Sequence, residues 1–291
     1  MTDYERLRGS PNPAPVEEKQ TGFEVWRVRM GRALTFPHPC EIIPPMKIIA
    51  DMHVHTVASG HAYSTVNEIA RAARRKKLEA FAITDHGPAL PGGPHLYHFG
   101  AMRFIPERIC GIRVLRGVEA NIVGPRGELD MPDSYLARLD FVMAGFHDGC
   151  GFDGRGIVAN TDAVLRAMEH PRVMAIAHSG NPEFQVDIEQ LVKGAAATGT
   201  ALEINNSSLS LSRKGSKPNC ELLAELSARH GALVVVGSDA HIAQGVGEFS
   251  DAIAVLEKAG IPVEQVVNSS FGRLLAFLGV ENVPESGDRQ R

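Results

Sequence analysis

From residue 47 onward, short runs rich in β-branched and small apolar residues alternate with amphipathic stretches, seven times over. The runs are KIIADMH, AFAITDH, IRVLRGVE, DFVMAGFH, RVMAIAHS, TALEIN and ALVVVGSDAH. Strands apolar along most of their length need cover on both faces, which a parallel sheet clad in helices provides. Helix starts are marked between them. Thr65 stands three residues before Glu68 as a capping box, and Asp187 precedes another amphipathic stretch. Seven such units predict a closed, somewhat irregular barrel, although an open doubly wound sheet fits the same alternation.

Residues 1–45 read differently. They hold Pro11, Pro13, Pro15, Pro37, Pro39, Pro44 and Pro45 in a polar background, which discourages regular structure. They are expected to be an N-terminal extension, with FEVWRVRM as one short strand, and residues 46–291 to form the barrel.

Several function classes lose support on composition. A formal net charge of -4, with no long run of like charge, argues against a track for long nucleic acid. Cys40, Cys110, Cys150 and Cys220 form no CxxC pair, so neither a zinc knuckle nor a redox motif is present. No apolar stretch approaches the roughly 20 residues of a membrane helix, and the N-terminus lacks a signal-peptide core, so a cytoplasmic protein without a membrane partner is expected. A homo-oligomer stays open.

The polar residues fall at the ends of the predicted strands. His53 and His55 end the first, Asp85 and His86 the second, Glu119 the third, His147 the fourth and His178 the fifth. Asp239 and His241 end the last, and only TALEIN, ending in Asn205 and Asn206, breaks the series. In parallel α/β folds all C-terminal strand ends share one face, so these residues converge. One histidine at a strand end is ordinarily structural. A buried crowd of imidazoles and carboxylates without a cation would instead be costly to desolvate. Nitrogen and oxygen donors without cysteine suit zinc, ahead of manganese or iron. Residues two apart on a strand share a side, so His53 and His55 can hold one ion together. Nine donors exceed the needs of one ion and imply two or three.

The series HVHT, His61, TDH at 84–86, GVEANI at 117–122, FHDG at 146–149, AHSGNP at 177–182, EINNSS at 203–208 and GSDAH at 237–241 resembles the PHP family, named for polymerase and histidinol phosphatase. The likeness is greatest to its YcdX-type phosphatase branch. It implies a distorted (βα)7 barrel with a trinuclear metal centre at the C-terminal mouth. His53, His55, Glu119 and Asp239 would hold the first ion, and His61, His86 and His241 the second. Glu119, His147 and His178 would hold the third.

Such a cluster suits phosphate ester hydrolysis, with a bridging water deprotonated to the nucleophile and the cations neutralising phosphoryl charge. The expected substrate is a phosphate monoester of a small molecule. Asp148 is a candidate general acid, beside a metal-bound water or a cluster histidine. The loop NNSSLSLSRKGSKPN follows the strand without a ligand, and Asn206, Ser207, Arg213 and Lys214 are its candidate substrate contacts, with Arg213 the expected phosphate clamp. His95 and His98 lie in the Gly/Pro-rich loop after the second strand, where substrate contact and plain packing are equally open. His170 and His230 are expected at helix ends. Two alternatives stand behind the phosphatase: a phosphodiesterase or exonuclease acting on short nucleic acids or nucleotides, and a non-catalytic metal-binding protein.

Overall fold

The computed structural model describes residues 46–280. The N-terminal extension, with its expected strand, lies outside the described residues. Eight strands form one sheet: β1 (Ala50–Val54), β2 (Ala80–Ile83), β3 (Arg108–Ile109), β4 (Ile112–Asn121), β5 (Phe141–Gly145), β6 (Ala175–Ile176), β7 (Ala201–Asn205) and β8 (Val234–Gly237). Helices α1 (Val66–Arg75), α2 (Leu96–Ala101), α3 (Asp133–Leu136), α4 (Ile157–Met168) and α5 (Ile188–Thr198) alternate with them. Then come α6 (Ser207–Ser210), α7 (Lys217–His230), α8 (Ser250–Ala259) and α9 (Phe271–Phe277). Among the described residues, no helix is long and apolar enough to cross a membrane.

All seven predicted runs form strands, and they pair in parallel in the order β1-β2-β4-β5-β6-β7-β8. The open-sheet alternative fails at the seam. Val54 bridges Ala240, His55 N–H donates to Ala240 O at 3.0 Å, and Asp239 N–H donates to His53 O at 2.8 Å. The result is a nearly closed barrel. Side chains alternate as a barrel requires: Phe141 and Met143 of β5 pack with Leu115 and Val235, while Val142 and Ala144 pack with the larger cluster that includes helix residues such as Val164 and Leu191.

The local signals hold. Thr65 and Glu68 form the reciprocal capping box of α1, and the Asp187 side chain caps α5, each worth about 0.5–2 kcal/mol. His230 ends α7, and His170 follows α4, where it meets Asp133. One element was not foreseen. β3 pairs antiparallel with β4 through a turn in which Cys110 (φ 55°) and Gly111 (φ 81°) both take the left-handed region that a tight hairpin demands. The usual Asn-Gly or Asp-Gly signal is absent there.

Candidate metal centre

Glu119 is the centre of the site. It lies on β4, fully buried, and its two oxygens face different groups of imidazoles. Oε1 is 2.7 Å from His178 Nε2 and 3.2 Å from His147 Nε2. Oε2 is 2.9 Å from His86 Nδ1, 3.2 Å from His53 Nε2 and 3.5 Å from His55 Nε2. Asp239, just past β8, brings Oδ1 to 3.2 Å from His55 Nε2 and 3.5 Å from His53 Nε2. At the solvent edge, His61 Nε2 and His241 Nε2 stand 2.9 Å apart. All nine expected donors therefore converge on the mouth formed by the C-terminal strand ends. The closest-lying donors overlap the expected sets. The compact trios are His53, His55 and Asp239; His55, His86 and His241; and His86, Glu119 and His147, with His61 on the rim beside His241.

The site fits divalent cations on its own chemistry. Glu119 Oε2, Asp239 Oδ1, His86 Nδ1 and His147 Nε2 are buried and make no hydrogen bond among the described residues. His53 Nε2 and His55 Nε2 are 3.0 Å apart, a pairing of like atoms in which one lone pair must be surrendered to a proton or shared with a cation. Buried, unmatched donor atoms of this kind cost free energy until a positive centre engages them.

Electrostatics say the same. Burial opposes ionisation of Glu119, yet His53, His147, His86 and His178 outweigh it and hold its carboxyl well below the usual range. Asp239 is likewise held low against its burial, by His53 and Arg213. Burial also opposes charge on His53, but Glu203, Glu119 and Asp239 push its pKa well above the ordinary imidazole value. His55 is driven down to about 3 by burial and the neighbouring His86, and His178 to about 3 by burial and Arg213. Neutral imidazole is the form that ligates.

A supporting layer surrounds the donors. Ser59 Oγ lies 3.0 Å from His55 Nδ1 and donates to Asp85 Oδ1 at 2.7 Å. Asp85 also accepts from Thr56 N–H and Oγ1, each at 2.8 Å. Burial opposes its charge, but hydrogen bonds led by those from His98 and Ser59 bring its pKa to about 2. Asp85, read from sequence as a donor type at a strand end, thus works one step behind the cluster. His98 reaches the same carboxylate at 3.2 Å, and His95 caps α2 by accepting from Tyr97 N–H. His95 is exposed and His98 partly buried, and each is oriented by its hydrogen bond.

Two residues were missed in the sequence. Asp51 accepts from Ser238 N–H and Oγ and from Gly247 N–H, pinning β1 to the segment after β8, and burial raises its pKa to about 6. Glu203 on β7 lies 2.7 Å from His53 Nδ1. The strand read as lacking a ligand carries a buried carboxylate against the cluster. Each was the one acid inside an otherwise apolar run, and that was the available signal.

In the loop after β7, Asn206 turns its amide oxygen to the N–H groups of Asp251 and Ala252, where it caps α8, so this expected substrate contact also has a structural task. Ser207 Oγ pairs with Ser212 Oγ, and Lys214 is exposed. Arg213, with left-handed φ of 47°, points inward: Nη1 donates to Asp239 Oδ2 at 2.8 Å and also meets Ser208 and Ser212. Asp148 is exposed beside His147.

Comparison with known proteins agrees with this geometry. The PHP domain model matches residues 51–207. The chain is 52% identical over 235 residues to a probable phosphatase of Syntrophotalea carbinolica, covering 81% of this chain and 98% of the relative. It is 50% identical over 233 residues to a probable phosphatase of Acetivibrio thermocellus, covering 80% and 96%. Among solved structures, a histidinol phosphate phosphatase from Lactococcus lactis, complexed with zinc, L-histidinol and phosphate, shares the fold at TM-score 0.53 and 16% identity, covering 73% of this chain and 94% of that one.

Proposed function

Because the chain belongs to the PHP domain family, we propose that it is a metal-dependent phosphatase hydrolysing phosphate monoesters of small molecules. The observation that carries this reading is the set of buried, unpartnered donor atoms meeting around Glu119. Two or three divalent ions are proposed, zinc first among them. His53, His55, Glu119 and Asp239 would hold one, His61, His86 and His241 a second, and Glu119, His147 and His178 a third. When bound, such ions supply Lewis acidity, lowering the pKa of water and neutralising charge on phosphoryl oxygens.

The chain's own residues do the rest. Glu119 and Asp239 balance positive charge, and the two oxygens of Glu119 face separate imidazole groups in the manner of a bridge. Ser59 accepts from His55 Nδ1, which keeps the His55 Nε2 lone pair facing the cluster. The Arg213 side chain makes its hydrogen bonds among the described residues through Nη1, leaving Nη2 and Nε for a phosphate oxygen. Asp148, exposed and next to His147 in the chain, is the candidate to give a proton to the departing alkoxide.

The deciding experiment is hydrolysis by zinc- or manganese-loaded protein of p-nitrophenyl phosphate, its bis-ester and short oligonucleotides, followed by sugar, amino-acid and nucleotide monophosphates. Preference for monoesters is expected. Turnover confined to diesters would overturn the reading. Arg213→Ala should lower kcat/KM by roughly ten- to a hundredfold, the equivalent of about 1.5–3 kcal/mol for a charged hydrogen bond. Arg213→Lys should recover only part, since ammonium lacks the planar fork. Lys214→Ala should change little. Metal analysis alongside the kinetics distinguishes a phosphate clamp from a brace for Asp239: wild-type kcat/KM, or loss of metal, in Arg213→Ala would count against the clamp.

A further inference from the structure

Glu203 sits behind the cluster and fits none of the roles assigned above. It is buried on β7, only 2% exposed, and among the described residues no lysine or arginine forms a salt bridge with it. Its Oε1 is 2.7 Å from His53 Nδ1. Its Oε2 accepts the backbone N–H of His178 at 2.8 Å and the Asn205 side-chain amide at 3.2 Å. One carboxylate thus grips two ligands on opposite sides of Glu119, by ring at His53 and by main chain at His178. The backbone at His178 has φ of 29°, a left-handed value costly for a residue with a Cβ, so something must hold it. The fold also makes room for this carboxylate. A Cβ at Gly237 would collide with Glu203 Oε1 and His53 Cβ, so position 237 is closed to any larger residue.

A carboxylate only accepts hydrogen bonds, so the contact with Nδ1 requires the proton of the His53 ring on Nδ1. In the neutral ring, the form that ligates, that leaves the Nε2 lone pair facing Glu119 and Asp239. Carboxylates behind ligating histidines fix tautomer and ring orientation in this way, and their loss typically weakens metal binding by about ten- to a hundredfold. Asn205 extends the link, since its amide also reaches Asp239 Oδ2 at 3.3 Å.

We propose that Glu203 is the positioning residue of the centre, holding His53 in its ligating tautomer and His178 in its strained backbone so that both meet the cations from fixed directions. This rests on the metal-centre reading above. In Glu203→Gln the size is kept, but one end of the amide is a donor. That donor must oppose either the His53 Nδ1–H or the His178 N–H, and relief at His53 moves the ring proton to Nε2, where it blocks the metal.

The test uses the full chain, stripped of metal with a chelator and titrated with zinc against a competing chromophoric chelator. Glu203→Gln is expected to bind zinc ten- to a hundredfold more weakly than wild type. Nitrogen-15 spectra of the zinc-loaded wild type should show the His53 proton on Nδ1, and this signal should be lost in the variant. Wild-type affinity in the variant would overturn the proposal. So would weaker binding with the Nδ1–H signal intact, because that is the behaviour of a merely structural residue. The wild-type spectrum is decisive even where the variant fails to fold: a proton on His53 Nε2 sinks the assignment. Wild-type protein that takes up no zinc would sink the functional reading as well, whereas normal uptake with an unchanged variant sinks only the role of Glu203.

Discussion

Glu119→Gln is expected to remove most phosphatase activity while the barrel stays folded. Both Glu119 oxygens face imidazoles, His178 and His147 on one side and His86, His53 and His55 on the other, so no other side chain touches as much of the cluster. The amide is nearly the same size, so packing around β4 should survive. Charge is what changes. Loss of a partner that merely supports a metal ligand costs about ten- to a hundredfold, so loss of the shared carboxylate itself should lower kcat/KM by at least about a hundredfold. At least one ion should go with it, because an amide is a poor bridge between cations. Asp239→Asn should act in the same direction with a smaller effect, as Arg213 keeps its geometry partly fixed. The measurements are steady-state kinetics, metal content per chain and circular dichroism on the same preparations. Near-normal turnover with full metal content in Glu119→Gln would show that the bridging role is wrongly assigned.

The features that proved readable in the sequence are those that repeat with the period of the secondary structure. Seven apolar runs gave seven parallel strands because burial on both faces leaves a strand few other solutions. The donors were readable for a related reason: His53, Glu119 and His147 are within two residues of strand ends that topology alone brings to one mouth, and they recur as donor types from strand to strand. The supporting carboxylates were not. A lone acid in an apolar run, as Glu203 and Asp51 are, does not reveal which distant groups will surround it. Asp85 stands beside His86 and looks like a donor, yet the turn carrying Thr56 and Ser59 claims its oxygens. Asn206 lies on the expected loop, and nothing local to it signals that its amide oxygen holds the start of α8. Non-glycine residues with left-handed φ, among them His178, Arg213 and Asp239, also carry no local sequence signal. Such backbones cost on the order of 1–3 kcal/mol each and persist only where the surroundings impose them.

Removal of metal is expected to abolish turnover and to lower Tm together, and the pH at which metal returns should be set by His53. Ions that bind the folded chain and not the unfolded one stabilise it by mass action, about 4 kcal/mol for each site held at a thousand times its Kd. With roughly 2–4 °C per kcal/mol for a domain of this size, stripping one tight ion should cost on the order of 10 °C, and a second more. In the metal-free site, His53 favours the protonated form because Glu203, Glu119 and Asp239 outweigh its burial, whereas His55 and His178, both near 3, already present free lone pairs. Binding at His53 therefore releases a proton. A cation competing with a proton binds more weakly as pH falls, so zinc affinity should rise from pH 6 to pH 8 with a slope approaching tenfold per unit while His53 remains protonated. Thermal unfolding with and without a strong chelator measures the first effect, and competition titrations across that range measure the second. An unchanged Tm on stripping would argue against tightly held ions. Affinity independent of pH would show that His53 carries no proton in the empty site, and that the carboxylates around it are matched by something other than its charge.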